Sequence, residues 1–356
     1  MKKRYAALVL ALVLIFGACA SPAAPAAPAG EAPAGGETAA PVADVNPDEA
    51  AWEIVVVPKD ASNPWFVRMD AGVREIAART GLNIYQRGTP EIDATLQAQL
   101  VQDLIAAGVD AIAVVPVDPG SLDPILAQAR AAGIVVISHE GASLTNIDFN
   151  IEAFNNEQYG AFIMDNLAEA MGGEGLYTTM VAHVTNASHN EWADGGVAHQ
   201  LAAYPNMQLL ESTPRVESED NGDVAFQTAL ELLTRYPDLR GIMGTSSFDA
   251  PGIARAIQEL GLQGQVFTAG TGLPADNAEL LRSGAVHALT LWDPALAGEA
   301  MVALALMVLR GEEVVDGTDL GVEGYRDIRF MPGSTTLLEG QGWIVITADN
   351  VDSFGF

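Results

Sequence analysis

The chain has 356 residues, a formal net charge of −29 and a hydrophobic fraction of 49 %. So large an excess of acids argues against a nucleic-acid-binding protein, because phosphates are neutralised by Lys and Arg. The single cysteine excludes an internal disulfide and a thiolate metal cluster. About 300 residues follow an N-terminal segment of unusual composition, which is enough for two folded lobes.

The N-terminus has the pattern of an export signal. Three basic residues, Lys2–Arg4, precede an apolar run, Tyr5–Phe16, that is too short for a permanent transmembrane helix. Small residues then lead directly into Cys19, which resembles a bacterial lipoprotein cleavage site, although Phe16 stands where such sites prefer Leu. We therefore predict a signal peptide over residues 1–19 and lipid attachment at Cys19. The alternative is an inert cysteine inside a plain secretory signal.

Residues 20–51 are mostly Ala, Pro and Gly with scattered acids. Such a segment buries too little apolar surface to offset its ordering entropy, and proline stiffens it into an extended tether. A signal, a lipid site and a tether together predict that the folded part lies outside the cytoplasm, anchored to the membrane on the periplasmic side or at the cell surface.

From Ile54 onward, short β-branched runs alternate with amphipathic helical stretches. The first series of predicted elements is the strand Ile54–Val57, the helix Pro64–Thr80, the strand Leu82–Tyr85, a helix from Ile92 that Gly108 ends, the strand Ala111–Val115, the helix Ser121–Ala132 and the strand Val135–Ser138. This βαβ order predicts a parallel sheet covered on both faces.

The pattern starts again after a short predicted strand at Phe149–Ile151, which a helix through Met171 follows. Further strands are predicted at Leu176–Val181, Gln208–Glu211, Gly241–Gly244, Val266–Ala269, Ala288–Leu291 and Trp343–Ile346. Helices are predicted with Asp223 as an N-cap, over Ala250–Leu260 and over Pro294–Leu309. Two Rossmann-like series predict two lobes. The alternative is a TIM barrel, which does not explain the restart near residue 150.

Several stretches of the sequence resemble a known family. Val55–Lys59 leading to Asn63-Pro64-Trp65-Phe66 is similar to a first strand and ligand loop, and Gly108–Asp118 to a third-strand signature, of type I periplasmic sugar-binding proteins of ABC importers. Leu291–Pro294 and the terminal Ile346–Phe356 most resemble the rhamnose-binding and autoinducer-2-binding branch of that family. The resemblance spans about residues 52 to 356.

The resemblance implies an α/β type I periplasmic-binding-protein fold, in which a three-segment hinge joins two Rossmann-like lobes. Carried onto this chain, the crossings fall near Glu152-Ala153, Trp292-Asp293 and Asp319–Gly321. The N-terminal lobe would be 52–152 plus 293–319, and the C-terminal lobe 153–292 plus 320–356. The resemblance further implies a monomer that is not an enzyme, has no cofactor and delivers a small sugar, a rhamnose-like hexose by preference, to an ABC permease.

A separate argument locates the ligand site. Open parallel sheets bind ligands beyond the carboxyl ends of their strands, and the loops there are rich in aromatic and polar side chains. Aromatic planes stack on the C–H face of a sugar, while polar groups bind its hydroxyls. The predicted ligand-binding residues are Lys59, Asn63, Trp65, Phe66, His139, Glu140, Ser188, His189, Asn190, Trp192, Ser246, Ser247, Phe248, Asp249, Trp292 and Asp293.

Some of these residues have alternative roles. Asn63 could cap the following helix, Asp249 could be a helix-start residue, and Trp292 could pack in the core or the hinge. The acidic run 217–223 predicts a solvated turn. Ser188-His189 stands where the autoinducer-2 branch has Asp-Gln, and Gly272 stands where ribose-type members have an acid, so the sugar remains open.

Other functions remain as alternatives. These are binding of an autoinducer-2-like signal, presentation of a sugar to a membrane sensor, and a glycoside-processing enzyme that pairs Glu140 with Asp249 or Asp293. A sugar-responsive transcription factor would need a basic DNA-binding segment where this chain has a signal and a tether. No metal-binding motif is present in the sequence.

Overall fold

A computed structural model describes residues 49–356. The predicted signal peptide, Cys19 and residues 20–48 of the predicted tether lie outside the described residues. The tether prediction is wrong at its end, because Glu49–Ala51 form a 3₁₀ helix. The Glu49 carboxylate pairs with Arg310 at 2.8 Å, which fixes this helix to the folded part.

The described residues alternate strands with helices. The strands are β1 (Glu53–Val57), β2 (Asn83–Gln86), β3 (Ala111–Val114), β4 (Val135–Ser138), β5 (Phe149–Glu152), β6 (Glu174–Val181), β7 (Asn206–Leu209), β8 (Arg215–Glu217), β9 (Leu239–Gly244), β10 (Phe267–Thr271), β11 (Ala288–Leu291), β12 (Arg329–Phe330), β13 (Leu337–Glu339) and β14 (Ile344–Ile346). The α-helices are α1 (Pro64–Thr80), α2 (Ala94–Ala107), α3 (Pro119–Ala131), α4 (Asn156–Met171), α5 (Ala187–Ala203), α6 (Gly222–Arg235), α7 (Asp249–Glu259), α8 (Pro274–Arg282) and α9 (Pro294–Leu309).

The strands form two separate sheets. The first has the order β12-β13-β5-β4-β3-β1-β2, and the second has the order β14-β11-β10-β9-β6-β7, with β8 paired to β6. Pairing is parallel except that β12 runs antiparallel to β13 and β14 antiparallel to β11. Two parallel-dominated sheets confirm the predicted type I periplasmic-binding-protein fold and exclude the TIM barrel.

Helices cover both faces of each sheet, so the central strands are apolar along their whole length. Ile54, Val55, Val56 and Val57 of β1 are all completely buried. This is the expected pattern for a parallel strand between two helical layers. Among residues 49–356, no helix is both long enough and apolar enough to span a membrane.

The chain passes between the sheets three times. It leaves the first sheet after β5, returns to it between β11 and α9, and leaves it finally between β13 and β14. The predicted third crossing near Asp319–Gly321 is wrong, and so is the assignment of all of 320–356 to the C-terminal lobe. Because Leu337–Glu339 pair with β5, residues through Glu339 stay with the first sheet.

Glycines let pairs of helices approach at backbone distance. A Cβ on Gly160 of α4 would lie 1.9 Å from the Trp192 carbonyl oxygen of α5. A Cβ on Gly195 of α5 would lie 2.4 Å from the Glu157 carbonyl oxygen of α4. This contact sets the position of α5 and hence of the Trp192 side chain.

We expect Gly160→Ala to lower the free energy of unfolding by about 1–3 kcal/mol, because the added methyl forces α4 and α5 apart. Chemical denaturation measures this. The matched control is Gly120→Ala in α3, where the nearest atom to a Cβ is the Asp118 Oδ1 at 3.4 Å, and where we expect no loss. Equal stability of the two variants would contradict the close helix contact.

Candidate ligand-binding cleft

Loops at the carboxyl ends of the strands of both sheets meet around one small pocket, called here the cleft pocket. Its lining residues are Lys59, Asn63, Trp65, Phe66, Glu140, His189, Trp192, Asp220, Thr245, Ser247, Thr271 and Trp292. The space between them is about 20 Å³, which is the room that one water molecule needs. The two lobes are therefore closed over the pocket, and a larger ligand requires them to separate.

Nine of the sixteen predicted site residues line this pocket. One of them, Asn63, also has its alternative role, because its Oδ1 accepts a hydrogen bond from the Trp65 N–H at 2.9 Å and so caps α1. The cap holds Trp65 and Phe66 in the first turn of the helix, where both side chains are buried beside the pocket.

A buried ion pair forms the polar side of the first lobe. Lys59, after β1, donates from Nζ to Oε2 of Glu140, after β4, at 2.7 Å, and the two side chains are 5 % and 3 % exposed. Burial works to raise the pKa of Glu140, but the Lys59 ammonium together with the neighbouring His139 and His189 outweighs it and lowers this pKa to about 2. Glu140 also has a left-handed backbone, with φ of 54°, a strained conformation of the kind found at ligand sites.

The second lobe reaches this ion pair through the start of α5. The Asn186 side chain caps that helix, and Ser188 Oγ donates to Glu140 Oε2 at 3.2 Å. The neighbouring His189 is buried, and burial together with the nearby Lys59 charge lowers its pKa to about 3. The imidazole of His189 is therefore neutral at pH 7. The Glu140 carboxylate thus joins the two lobes.

Four aromatic residues form the apolar side of the cleft pocket: Trp65, Phe66, Trp192 and Trp292. Trp292 lies at their centre, with its ring centroid 4.8 Å from Trp65 and 5.5 Å from Trp192, both at edge-to-face angles. Trp65 comes from the first lobe, Trp192 from the second, and Trp292 from the crossing between them. This cluster supplies the apolar planes on which a sugar ring can stack.

The structure adds three residues that sequence reasoning missed: Asp220, Thr245 and Thr271. The acidic run that predicted only a solvated turn places Asp220 in the pocket, with φ of 51° and a hydrogen bond from Ser246 Oγ. Burial raises the pKa of Asp220. Ligands bind beyond the carboxyl ends of parallel strands, and Asp220 follows the end of β8. The sequence analysis missed Asp220 because it did not predict β8. Asn221, rather than Asp223, caps α6.

Asp249 lies outside the lining of the pocket and positions one of its loops. Its Oδ2 accepts hydrogen bonds from the backbone N–H of Thr245 at 2.9 Å and of Ser246 at 2.8 Å. The side chain is fully buried, and burial raises its pKa to about 7. Asp249 therefore acts as the helix-start residue that the sequence allowed, holding the strand-end loop against the pocket.

This raised pKa gives a pH-dependence prediction. The carboxyl of Asp249 has a native pKa of about 7 against an ordinary 3.8, so its contribution to stability is present at low pH and lost as pH rises from about 4 to 7. At about 1.4 kcal/mol per pKa unit, the loss is about 4 kcal/mol. We expect Asp249→Asn to lack this loss, because the amide keeps an acceptor and has no proton to release. If the free energies of unfolding of the wild type and of Asp249→Asn changed in parallel between pH 4 and 8, the raised pKa of Asp249 would be contradicted.

The other predicted residues lie around the pocket rather than in its wall. Ser188 and Ser246 bind Glu140 and Asp220, as described above. His139 contacts Trp292 at 5.6 Å between ring centroids, and its Nδ1 lies 2.6 Å from the Ile151 carbonyl oxygen.

Asn190, Phe248 and Asp293 are turned to other surfaces. Asn190 accepts a hydrogen bond from Arg215 at 2.7 Å on the outer side of α5. Phe248 lines a groove outside the pocket. Asp293 caps α9 and forms a two-bond ion pair with Arg68 at 2.9 and 2.6 Å. The side chains of Asn190 and Asp293 are therefore held by protein partners.

These hydrogen-bond partners also argue against the alternative that two carboxyls act together in glycoside hydrolysis. Glu140 is held ionised by Lys59, Asp249 binds its own loop, and Asp293 binds Arg68. Hydrolysis requires one carboxyl that carries a proton and a second that faces the same bond. Neither proposed pair meets this requirement in the cleft pocket.

Comparisons with known proteins agree with the two-sheet fold. A family model for a periplasmic binding protein domain matches residues 54–313. The chain is 27 % identical to the D-allose-binding periplasmic protein of Escherichia coli K12 over 268 residues, which cover 73 % of this chain and 84 % of that protein. It is 23 % identical to the ribose import binding protein RbsB of Bacillus subtilis over 257 residues, covering 71 % and 80 %.

Two solved structures show the same fold. LsrB from Clostridium saccharobutylicum in complex with AI-2 matches with a TM-score of 0.77 and 19 % identity, covering 85 % of this chain and 100 % of that chain. An ABC transporter solute-binding protein from Clostridium phytofermentans with bound L-rhamnose matches with a TM-score of 0.76 and 20 % identity, covering 85 % and 97 %.

Proposed function

Since the chain belongs to the periplasmic binding protein domain family, we propose that it captures a small sugar between its lobes and delivers it to an ABC importer. The family consists of extracytoplasmic solute-binding proteins, which are not enzymes. The single observation that carries the proposal is the cleft pocket, where indoles and charged side chains from both lobes surround one space.

The chemistry of the pocket matches that of a sugar. Trp65, Trp192 and Trp292 offer apolar planes for the C–H face of a ring. Lys59 offers a charged donor, and Glu140 and Asp220 offer carboxylate acceptors for its hydroxyls. Such a mixture does not suit a fatty acid, whose apolar chain would lie against buried charged groups without forming hydrogen bonds to them.

We propose a monosaccharide, with a rhamnose-like hexose as the preferred ligand. The number of indoles supports a sugar with an extended apolar face, such as a 6-deoxyhexose. The relatives named above carry D-allose and ribose in their names, and one structural neighbour has bound L-rhamnose. Because AI-2 is bound by a neighbour with the same fold, it is the competing ligand to test.

Ligand entry requires hinge opening. The pocket of about 20 Å³ is smaller than any sugar, and the hydrogen bond from Ser188 to Glu140 joins the lobes directly. We propose that this bond breaks as the lobes separate and that the bound sugar takes its place between them. We also propose that the chain is exported, that a lipid is attached at Cys19 and that the sugar is delivered to a partner permease.

A thermal-shift screen tests the function. We expect L-rhamnose, D-ribose, D-allose, D-arabinose or AI-2 to raise the melting temperature, because a ligand that binds only the native state stabilises it by about 2.7 kcal/mol at 100 times its Kd. The bound compound should be recovered unchanged by chromatography. Conversion to a product would favour an enzyme, and no shift with any member of the panel would contradict sugar binding.

A further inference from the structure

A much larger groove continues the cleft pocket toward solvent. This outer groove holds about 870 Å³, against about 20 Å³ for the cleft pocket. The two share the lining residues Asn63, Asp220 and Ser247, so they lie side by side between the lobes. A ring bound in the cleft pocket would therefore face the outer groove on its open side.

The outer groove is lined by six carboxylates and by one cationic side chain, Arg255. Its carboxylates are Asp60, Glu91, Glu219, Asp220, Asp223 and Asp276. Within residues 49–356, only Asp223 of this set has an ion-pair partner, Arg255 at 3.0 Å. Such a lining selects a ligand group that donates hydrogen bonds. The half-buried ring of Phe248, also in the lining, adds an apolar plane.

Asp60 gives the most specific indication of a ligand. The residue is only 2 % exposed, and its Oδ1 accepts hydrogen bonds from Ser62 N, Ser62 Oγ and Asn63 N at 2.7 to 2.8 Å. Its Oδ2 is buried and has no hydrogen-bond partner among the described residues. An unmatched buried carboxylate oxygen is costly, which indicates that this oxygen is placed to accept from a bound group.

We propose that the outer groove is a second glycosyl subsite, so that the proposed monosaccharide also binds as one ring of a disaccharide, whose other ring lies in the groove. The inference rests on the proposed function, because it assumes that the cleft pocket holds the first ring. The hydroxyls of the second ring donate to Asp60 Oδ2 and Asp220, and its apolar face packs on Phe248. A metal ion is the weaker occupant, since the described residues contain no group of three or more His, Cys, Asp or Glu able to hold one.

Isothermal titration calorimetry on matched sugars tests the subsite. The pairs are D-glucose with cellobiose, D-galactose with lactose, D-xylose with xylobiose and L-rhamnose with rutinose. For the pair that binds, we expect the disaccharide to bind about tenfold tighter than its monosaccharide, the effect of about one hydrogen bond to a charged group. This affinity ratio should fall about tenfold in Asp60→Asn, which keeps an oxygen for the loop and replaces the free acceptor with a donor.

The matched control is Asp238→Asn, an exposed carboxyl away from the groove, which should leave the ratio unchanged. If Asp60→Asn melts far below the wild type, Glu91→Gln provides a second groove variant. A monosaccharide that binds while its disaccharide does not would overturn the subsite and leave the proposed function intact. Absence of binding by every sugar would overturn both. Tighter binding of D-glucosamine than of D-glucose, without a gain from a second ring, would show a cation site and also overturn the subsite.

Discussion

Lys59→Met is expected to lower sugar affinity about 10- to 150-fold, because it removes the charged donor of the cleft pocket, and a hydrogen bond to a charged group contributes about 1.5–3 kcal/mol. It should also destabilise the protein by about 3–5 kcal/mol, since the Glu140 carboxylate, only 3 % exposed, loses its counter-ion. Isothermal titration calorimetry and chemical denaturation measure the two effects.

A double variant separates binding from folding. Lys59→Met combined with Glu140→Gln removes both charges, so we expect most of the stability to return while sugar binding does not. Unchanged affinity in the single variant would contradict the assignment of Lys59 to the ligand. Failure of the double variant to recover stability would contradict the account of the ion pair.

The pair also has a defined pH range. The folded-state pKa of Glu140, about 2, lies below its ordinary value of 4.5. Its stabilisation is therefore fully present above pH 4.5 and is lost as pH falls toward 2. Asp249, with its raised pKa, has the opposite sign, so the two carboxyls are separable by pH.

Trp292→Ala is expected to destabilise the protein by about 3–5 kcal/mol, the usual effect of removing a buried indole. Trp292 is 2 % exposed and contacts Trp65, Trp192 and Phe154, the last at 5.2 Å between ring centroids. Because these neighbours come from both lobes and the hinge, sugar affinity should fall with stability.

The matched control is Trp343→Ala, at the third crossing. Trp343 contacts the same Phe154 at 4.9 Å but is 38 % exposed, so we expect a loss of only about 1 kcal/mol. Thermal melts of the two variants decide the matter. Equal losses of stability in the two variants would contradict the packing of Trp292 between the lobes.

The elements that the sequence predicted well are those with strong local signals. Helix α1 has a capping Asn63 before Pro64 and a left-handed Gly81 at its end, and its predicted bounds are confirmed. Strand β4 and helix α9 also begin and end where predicted. In each case neighbouring residues alone define the element.

The elements that were missed depend on distant partners. Strands β8, β12 and β13 have two or three residues each, too few for a periodic pattern, and β13 exists because it pairs with β5. Missing β13 misplaced the third crossing, and missing β8 hid Asp220. The sequence analysis did not predict the bounds of helix α5 either. Its glycines allow close contact with α4, and they weaken the apolar periodicity that would have marked the helix.

For the candidate site, residue type at strand ends identified which loops meet, since parallel strands end at one edge of a sheet. The sequence did not predict the direction in which each side chain points. Asn190 and Asp293 have suitable chemistry, but Arg215 and Arg68 bind them elsewhere. Such partners lie far away in the chain and become visible only in the fold.

A crystal structure with the sugar that gives the largest thermal shift tests the capture of a sugar between the lobes most directly. We expect the ring to lie against the indoles of Trp65, Trp192 or Trp292, with its hydroxyls within hydrogen-bond distance of Lys59 and Asp220. A sugar bound on an outer surface, with the cleft pocket still closed on itself, would contradict the account.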